Sequence, residues 1–98
     1  MIFELHFSNE AKAQLKSLKD NKGLARRYKA VKAALRKLQQ NPRYPSLQTH
    51  EFHSLFGPNG EKVFEAYAEQ NTPSAYRIFF HYGPEQGVMS IISITPHP

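Results

Sequence analysis

Arg77 and His81 lie on the aromatic run Ala75-Tyr76-Arg77-Ile78-Phe79-Phe80-His81-Tyr82, where strand alternation puts both on one face with Phe79 between them. A guanidinium matches phosphate oxygens as a bidentate fork, and an imidazole changes protonation near neutral pH, so such a face could hold and act on a phosphodiester. The opposite face, Tyr76, Ile78, Phe80 and Tyr82, is the better core candidate. Ordinary structural roles compete with this chemistry: Arg77 could pair with Glu65 or Glu69 across neighbouring strands, and His81 could be a half-exposed strand residue. A second cluster, His50-Glu51-Phe52-His53, lacks the i, i+4 histidines of the helical zinc-protease motif and falls in a loop-like segment, so neither a metal site nor a cofactor is expected.

Charge is segregated along the 98 residues, whose formal net charge is +5. Residues 1–44 carry eleven Lys and Arg against Glu4, Glu10 and Asp20, a net of +8, whereas residues 45–98 carry only Lys62 and Arg77 against five Glu, a net of −3. An arginine that stands almost alone on an apolar strand therefore needs a reason. The basic half favours a polyanionic partner, nucleic acid or an acidic protein segment, over an acidic small molecule. With no Cys there can be no disulfide framework, which fits a reducing cytosol. No apolar run approaches the ~18 residues that span a bilayer, and the first residues alternate like a strand instead of forming a charged leader with an apolar core. The expectation is one cytoplasmic domain over residues 1–98 with no membrane contact.

The elements that must position Arg77 follow from periodicity. Phe3, Leu5 and Phe7 alternate with Ile2, Glu4 and His6 as a short half-buried strand, and Ser8 or Asn9 can cap a following helix whose Ala11, Leu15 and Leu18 share a face. Asp20-Asn21-Lys22-Gly23 reads as a helix–helix turn. Leu24, Tyr28, Val31, Leu35 and Leu38 then form the buried stripe of a second helix, with Lys29, Lys32 and Arg36 as a basic ridge on another face. Asn41–Gly60 holds Pro42, Pro45, Gly57, Pro58 and Gly60 and reads as a long loop. Runs over Glu61–Glu69, Tyr76–Tyr82 and Val88–Thr95, separated by turn formers, predict a three-stranded antiparallel meander. The fold class is thus α+β, in the order β-α-α-β-β-β, with a helical hairpin on one sheet face and Arg77 and His81 directed to the uncovered side.

This order, together with Tyr76-Arg77-Ile78 and Tyr82, Leu55-Phe56-Gly57 ahead of the meander, and His97 just past the last strand in Ile94-Thr95-Pro96-His97-Pro98, resembles the RelE/ParE superfamily of bacterial toxin–antitoxin toxins. The resemblance implies a toxin neutralised by a cognate antitoxin protein. Its target differs between branches: those resembling RelE cut mRNA on the ribosome, whereas those resembling ParE poison DNA gyrase without cleaving RNA, and a relic could bind its antitoxin yet lack toxicity. Fold alone does not choose among them. In one ribosome-dependent branch the cutting groups are a glutamate near the loop before the second strand, an arginine on the third strand and a histidine at the end of the fourth. Arg77 and His97 fit the last two, Glu51 is the nearest candidate for the first, and Glu65 is its rival. Branches that cleave with several cations carry them on the second strand, where this chain has Glu65 and Tyr67 with only Lys62 nearby.

Cleavage of RNA by its own 2′-OH needs a base for that hydroxyl, positive charge for the phosphorane, and an acid for the departing 5′-oxygen. Glu51 or Glu65, Arg77 and His97 would fill those roles in order, in a scheme that requires no metal. Lys29, Lys32, Arg36, Lys62 and His81 are the candidate RNA contacts. The leading expectation is therefore an mRNA endoribonuclease acting on the ribosome, with gyrase inhibition as the alternative.

Overall fold

The computed structural model describes residues 2–98. Its elements are β1 (Glu4–Phe7), α1 (Asn9–Asp20), α2 (Ala25–Gln40), β2 (His50–Phe56), β3 (Lys62–Tyr67), β4 (Tyr76–Tyr82) and β5 (Val88–Pro96). One sheet of order β1-β5-β4-β3-β2 runs through the molecule, with β1 parallel to β5 and the other pairs antiparallel. The α+β class, the helical hairpin and its packing on one sheet face are as expected. The meander has four strands where three were expected. Each of Pro42, Pro45, Gly57, Pro58 and Gly60 lies outside His50–Phe56, so the breakers bound a strand within the Asn41–Gly60 segment.

Ser8 caps α1: its Oγ accepts from the Ala11 N–H at 2.9 Å and donates to the Ile92 carbonyl at 2.6 Å, tying the helix start to β5. Ala11 and Leu18 of α1 and Val31, Leu35 and Leu38 of α2 are buried against Ala66, Ile78, Phe80, Met89, Ile91 and Ile94, with Leu24 and Tyr28 partly buried at the stripe's start. That one core joins hairpin and sheet, so the helices take their register from β3–β5. A bulge helps. Phe79 pairs with Ser93 but Phe80 with Ile91, leaving Ile92 as an extra residue, and the phase shift lets Met89, Ile91 and Ile94 all face the helices. No helix among the described residues is long and apolar enough to cross a membrane.

Arg27 fastens the turn between β3 and β4. Its Nη1 donates to the Ser74 carbonyl at 2.7 Å and to Glu69 at 3.3 Å, its Nη2 donates to the Pro73 carbonyl at 2.9 Å, and Glu69 in turn accepts from the Tyr76 N–H at 3.0 Å. This single side chain therefore sets where β4 begins. Gly57 closes the β2–β3 hairpin, where a Cβ would collide with the Glu61 carboxylate. That carboxylate accepts from the Asn59 N–H at 2.8 Å, which holds it below the usual glutamate range.

Two outcomes follow from these turns. Arg27→Met keeps the stem but removes three hydrogen bonds, and should lower unfolding free energy by about 2 kcal/mol in urea titrations. Because the folded Glu61 carboxyl is the more acidic form, its contribution is present above the unfolded glutamate value and is lost as pH falls through the folded one. Glu61→Gln should therefore lower the melting temperature at pH 7, and the gap to the unaltered chain should close as the pH is taken below the carboxylate range.

Candidate functional site

Strand alternation carries His50 and Phe52 of β2, Glu65 and Tyr67 of β3, and Arg77 and Phe79 of β4 to the sheet face away from the helices. Glu65 is the centre of this group. Its Oε2 accepts from Arg77 Nη1 at 2.7 Å and its Oε1 faces His50 Nε2 at 2.7 Å, with the Glu65 side chain only 5% exposed. A carboxylate so far out of water persists because one of its oxygens meets the Arg77 guanidinium and the other lies against the His50 ring. Arg77 is 13% exposed, with its guanidinium over the Phe79 ring at 4.8 Å, and Phe52 packs edge-on against that ring at 4.9 Å. The Nε of Arg77 is buried with no partner, and among the described residues only Nη1 of its guanidinium has one. Since Nε and Nη2 share one edge of the fork, the side of the guanidinium turned from Glu65 is an unused pair of donors.

The remaining candidates divide by face. His97 continues the ladder, its N–H donating to the Ala75 carbonyl at 2.8 Å, and lies two residues beyond the Thr95–Arg77 pair, on Arg77's face by alternation. It is exposed, with Nδ1 near the Pro98 carbonyl at 3.0 Å. Glu51 pairs in register with Phe64, whose ring belongs to the helix-side core, so its carboxylate lies on the opposite face from Arg77 and meets His53 Nδ1 at 3.3 Å. The structure thus brings Arg77 together with Glu65, sets His97 on the same face, and separates both from Glu51. His50 and His53 likewise fall on opposite faces.

Two expectations about exposure change. His81 is on the uncovered side but is 4% exposed, with Nδ1 at 3.0 Å from the Tyr82 carbonyl and 4.0 Å from Glu61. At that burial, on the third of five strands, it presents almost no surface to a ligand. Arg77 is partly shielded but keeps 13% of its side chain exposed. Lys62 is exposed at the start of β3, and Lys29, Lys32 and Arg36 are exposed on α2, on the helix side of the sheet, with the sheet between that ridge and Arg77. Sequence reasoning passed over His50 as a site residue because its segment read as loop. The alternation of His50 and Phe52 against Glu51 and His53 is the one signal that could have found it.

No protein-family model and no curated protein matches the chain. In three dimensions it is similar over nearly its whole length to solved toxins. The archaeal RelE–RelB complex from Pyrococcus horikoshii matches at 16% identity and a TM-score of 0.65, over 98% of this chain and 96% of that one. A YoeB/ParE toxin from Agrobacterium tumefaciens matches at 10% identity and a TM-score of 0.70, over 98% and 100%. The intact RelBE toxin–antitoxin complex of Escherichia coli matches at 17% identity and a TM-score of 0.58, over 100% and 99%. The chain has the fold of the RelE, YoeB and ParE toxins.

The Glu65–Arg77 contact makes a measurable prediction. Removing Glu65 strands Arg77 as a buried cation, so Glu65→Leu should cost about 3–5 kcal/mol, whereas Arg77→Leu leaves the carboxylate its His50 contact and should cost less, and the double replacement should lie closer to the unaltered chain than Glu65→Leu does. Urea denaturation of the four proteins completes the cycle.

Proposed function

We propose that this chain is the toxin of a type II toxin–antitoxin pair, neutralised by a cognate antitoxin protein and acting as a metal-independent endoribonuclease on mRNA at the ribosome. The observation that carries the reading is Arg77: in a fold shared with RelE-type toxins, it stands on the helix-free sheet face with an unused edge of two donors. Solved relatives of that fold in complex with RelB support an antitoxin as the partner. A guanidinium with Nη1 fixed by a carboxylate and Nη2 unspent keeps an oriented donor for a phosphoryl group, and such a donor matters most as charge accumulates in the phosphorane.

In this reading the 2′-oxygen attacks phosphorus as the bond to the 5′-oxygen breaks, and Arg77 stabilises the equatorial oxygens. Both Glu65 oxygens are already engaged and Glu51 is across the sheet, so the base is His97, exposed on Arg77's face at the end of β5. A base needs a free lone pair within reach of the hydroxyl, and an imidazole offers one on whichever ring nitrogen carries no hydrogen. The 2′-hydroxyl makes RNA, not DNA, the substrate.

One observation favours a second reading. Glu65 offsets the charge of Arg77, and β3 offers no cation beyond Lys62, which suits a ParE-like gyrase inhibitor better than a nuclease. The two are separated by adding the chain to translating ribosomes and to a gyrase supercoiling reaction. New message ends at the decoding site with supercoiling intact support the nuclease, and the reverse supports the inhibitor. Arg77→Lys should keep the ion pair and the fold but forfeit the flat donor edge, lowering the rate of message cutting by about 100-fold or more.

A further inference from the structure

The helices stop short of one end of the sheet. On the helix side Phe80 is fully buried and the Phe64 ring stacked on it at 5.7 Å is partly so, whereas one step further along that face Tyr82 is 41% exposed and Phe56 is 67% exposed. Register explains the grouping. Phe64 pairs with Phe80, so alternation brings Lys62 and Tyr82 abreast, and Phe56 pairs with Lys62. The result is an uncovered row across three neighbouring strands: an aromatic ring, an exposed ammonium, an aromatic ring. We infer that this row of Phe56, Lys62 and Tyr82 is a platform for single-stranded nucleic acid, in which two bases stack on the rings and the phosphate between them meets Lys62. It lies on the opposite face of the sheet from Arg77 and involves no cleavage.

Spacing and support both fit such a ligand. Neighbouring strands lie about 4.8 Å apart, so residues on β2 and β4 stand roughly 10 Å apart with the β3 cation between them, room for two splayed bases and their linking phosphate. Tyr82 is braced by Phe3 at 5.7 Å, Phe64 at 5.5 Å and Phe80 at 5.7 Å. A ring already held on several sides loses little freedom when a base lies against it. Partial burial raises the Tyr82 phenol above its usual value while Arg43 acts in the opposite sense, so the hydroxyl is uncharged at neutral pH and does not repel a phosphate. Arg43, exposed just past α2, is thus near enough to serve as a second cation. Glu51, one pair further along the same face, already faces His53 at 3.3 Å. Shape favours nucleic acid over a protein partner: planar bases lie well on a sheet face, whereas an amphipathic helix seeks a groove. The net charge of +8 over residues 1–44, Arg43 included, adds a long-range attraction for the same polyanion.

The probes are a fluorescein-labelled oligouridylate of about twelve nucleotides, 2′-O-methylated so that it cannot be cut, and the matching DNA oligothymidylate. Fluorescence anisotropy should show binding, and the tighter of the two strands identifies RNA or DNA as the natural source. Phe56→Leu, apolar but without a ring face, should weaken binding about 10-fold, while Phe56→Trp keeps it. Lys62→Met should reduce the salt dependence of affinity by about the equivalent of one phosphate. Because Phe56 is mostly exposed, its variants should melt with the unaltered chain. Failure of both strands to bind overturns the platform, as does Phe56→Leu binding as tightly as the unaltered chain. A helical peptide rich in Glu and Leu that binds more tightly than either strand, and loses affinity in Phe56→Ala, overturns it in favour of a protein partner. A dimer in sedimentation that Phe56→Ala dissolves overturns it in favour of a second copy. None of these measurements reads message cutting, so the platform and the nuclease reading fail separately.

Discussion

A carboxylate almost wholly withdrawn from water is tolerable only where its charge is met, and Glu65 meets Arg77 on one oxygen and His50 on the other at 2.7 Å each. This bridge joins three strands through side chains on the face that the helices leave bare. The backbone ladder already pairs β2, β3 and β4, but it would do so with any residues. The bridge specifies which side chains stand together, and it keeps the guanidinium flat over Phe79 with one edge unspent. Whether such a buried pair adds net stability is a separate matter from what its rupture costs, since the desolvation of each ion offsets much of their attraction.

The same bridge sets a tension between holding Arg77 and using it. A guanidinium free of Glu65 would carry a fuller charge toward a phosphate but would lose its fixed direction, and a buried cation without a partner would be costly. Sharing one nitrogen with the carboxylate keeps the direction and leaves the opposite edge without a partner among the described residues. The basic ridge of Lys29, Lys32 and Arg36 lies on the helix side of the sheet, so that ridge and the Arg77 donors belong to different surfaces.

The helix hairpin was legible because period 3.6 is hard to counterfeit: the Leu24–Leu38 stripe and the Ala11, Leu15, Leu18 face both pack as their spacing dictates. So was the division of β4 into an Ile78–Phe80 core face and an Arg77–Phe79–His81 face. What misled was punctuation. The prolines and glycines of Asn41–Gly60 mark the borders of β2, but read together they looked like one loop, and with β2 went His50. The burial of His81 was equally hidden, since alternation gives a face and says nothing of what neighbouring strands lay over it.

By itself the sequence determined which residues are apolar at which period, and hence the elements, the covered face of the sheet, and the face on which Arg77 must stand. Only the tertiary structure decided its neighbours. That Glu65 and not Glu69 holds Arg77, that Glu69 instead serves Arg27 and the Tyr76 N–H, and that Glu51 is turned to the far side all depend on strand register. A slip of one residue exchanges the two faces, and register is fixed by the summed packing of a whole sheet against its helices, a quantity no local stretch of chain contains.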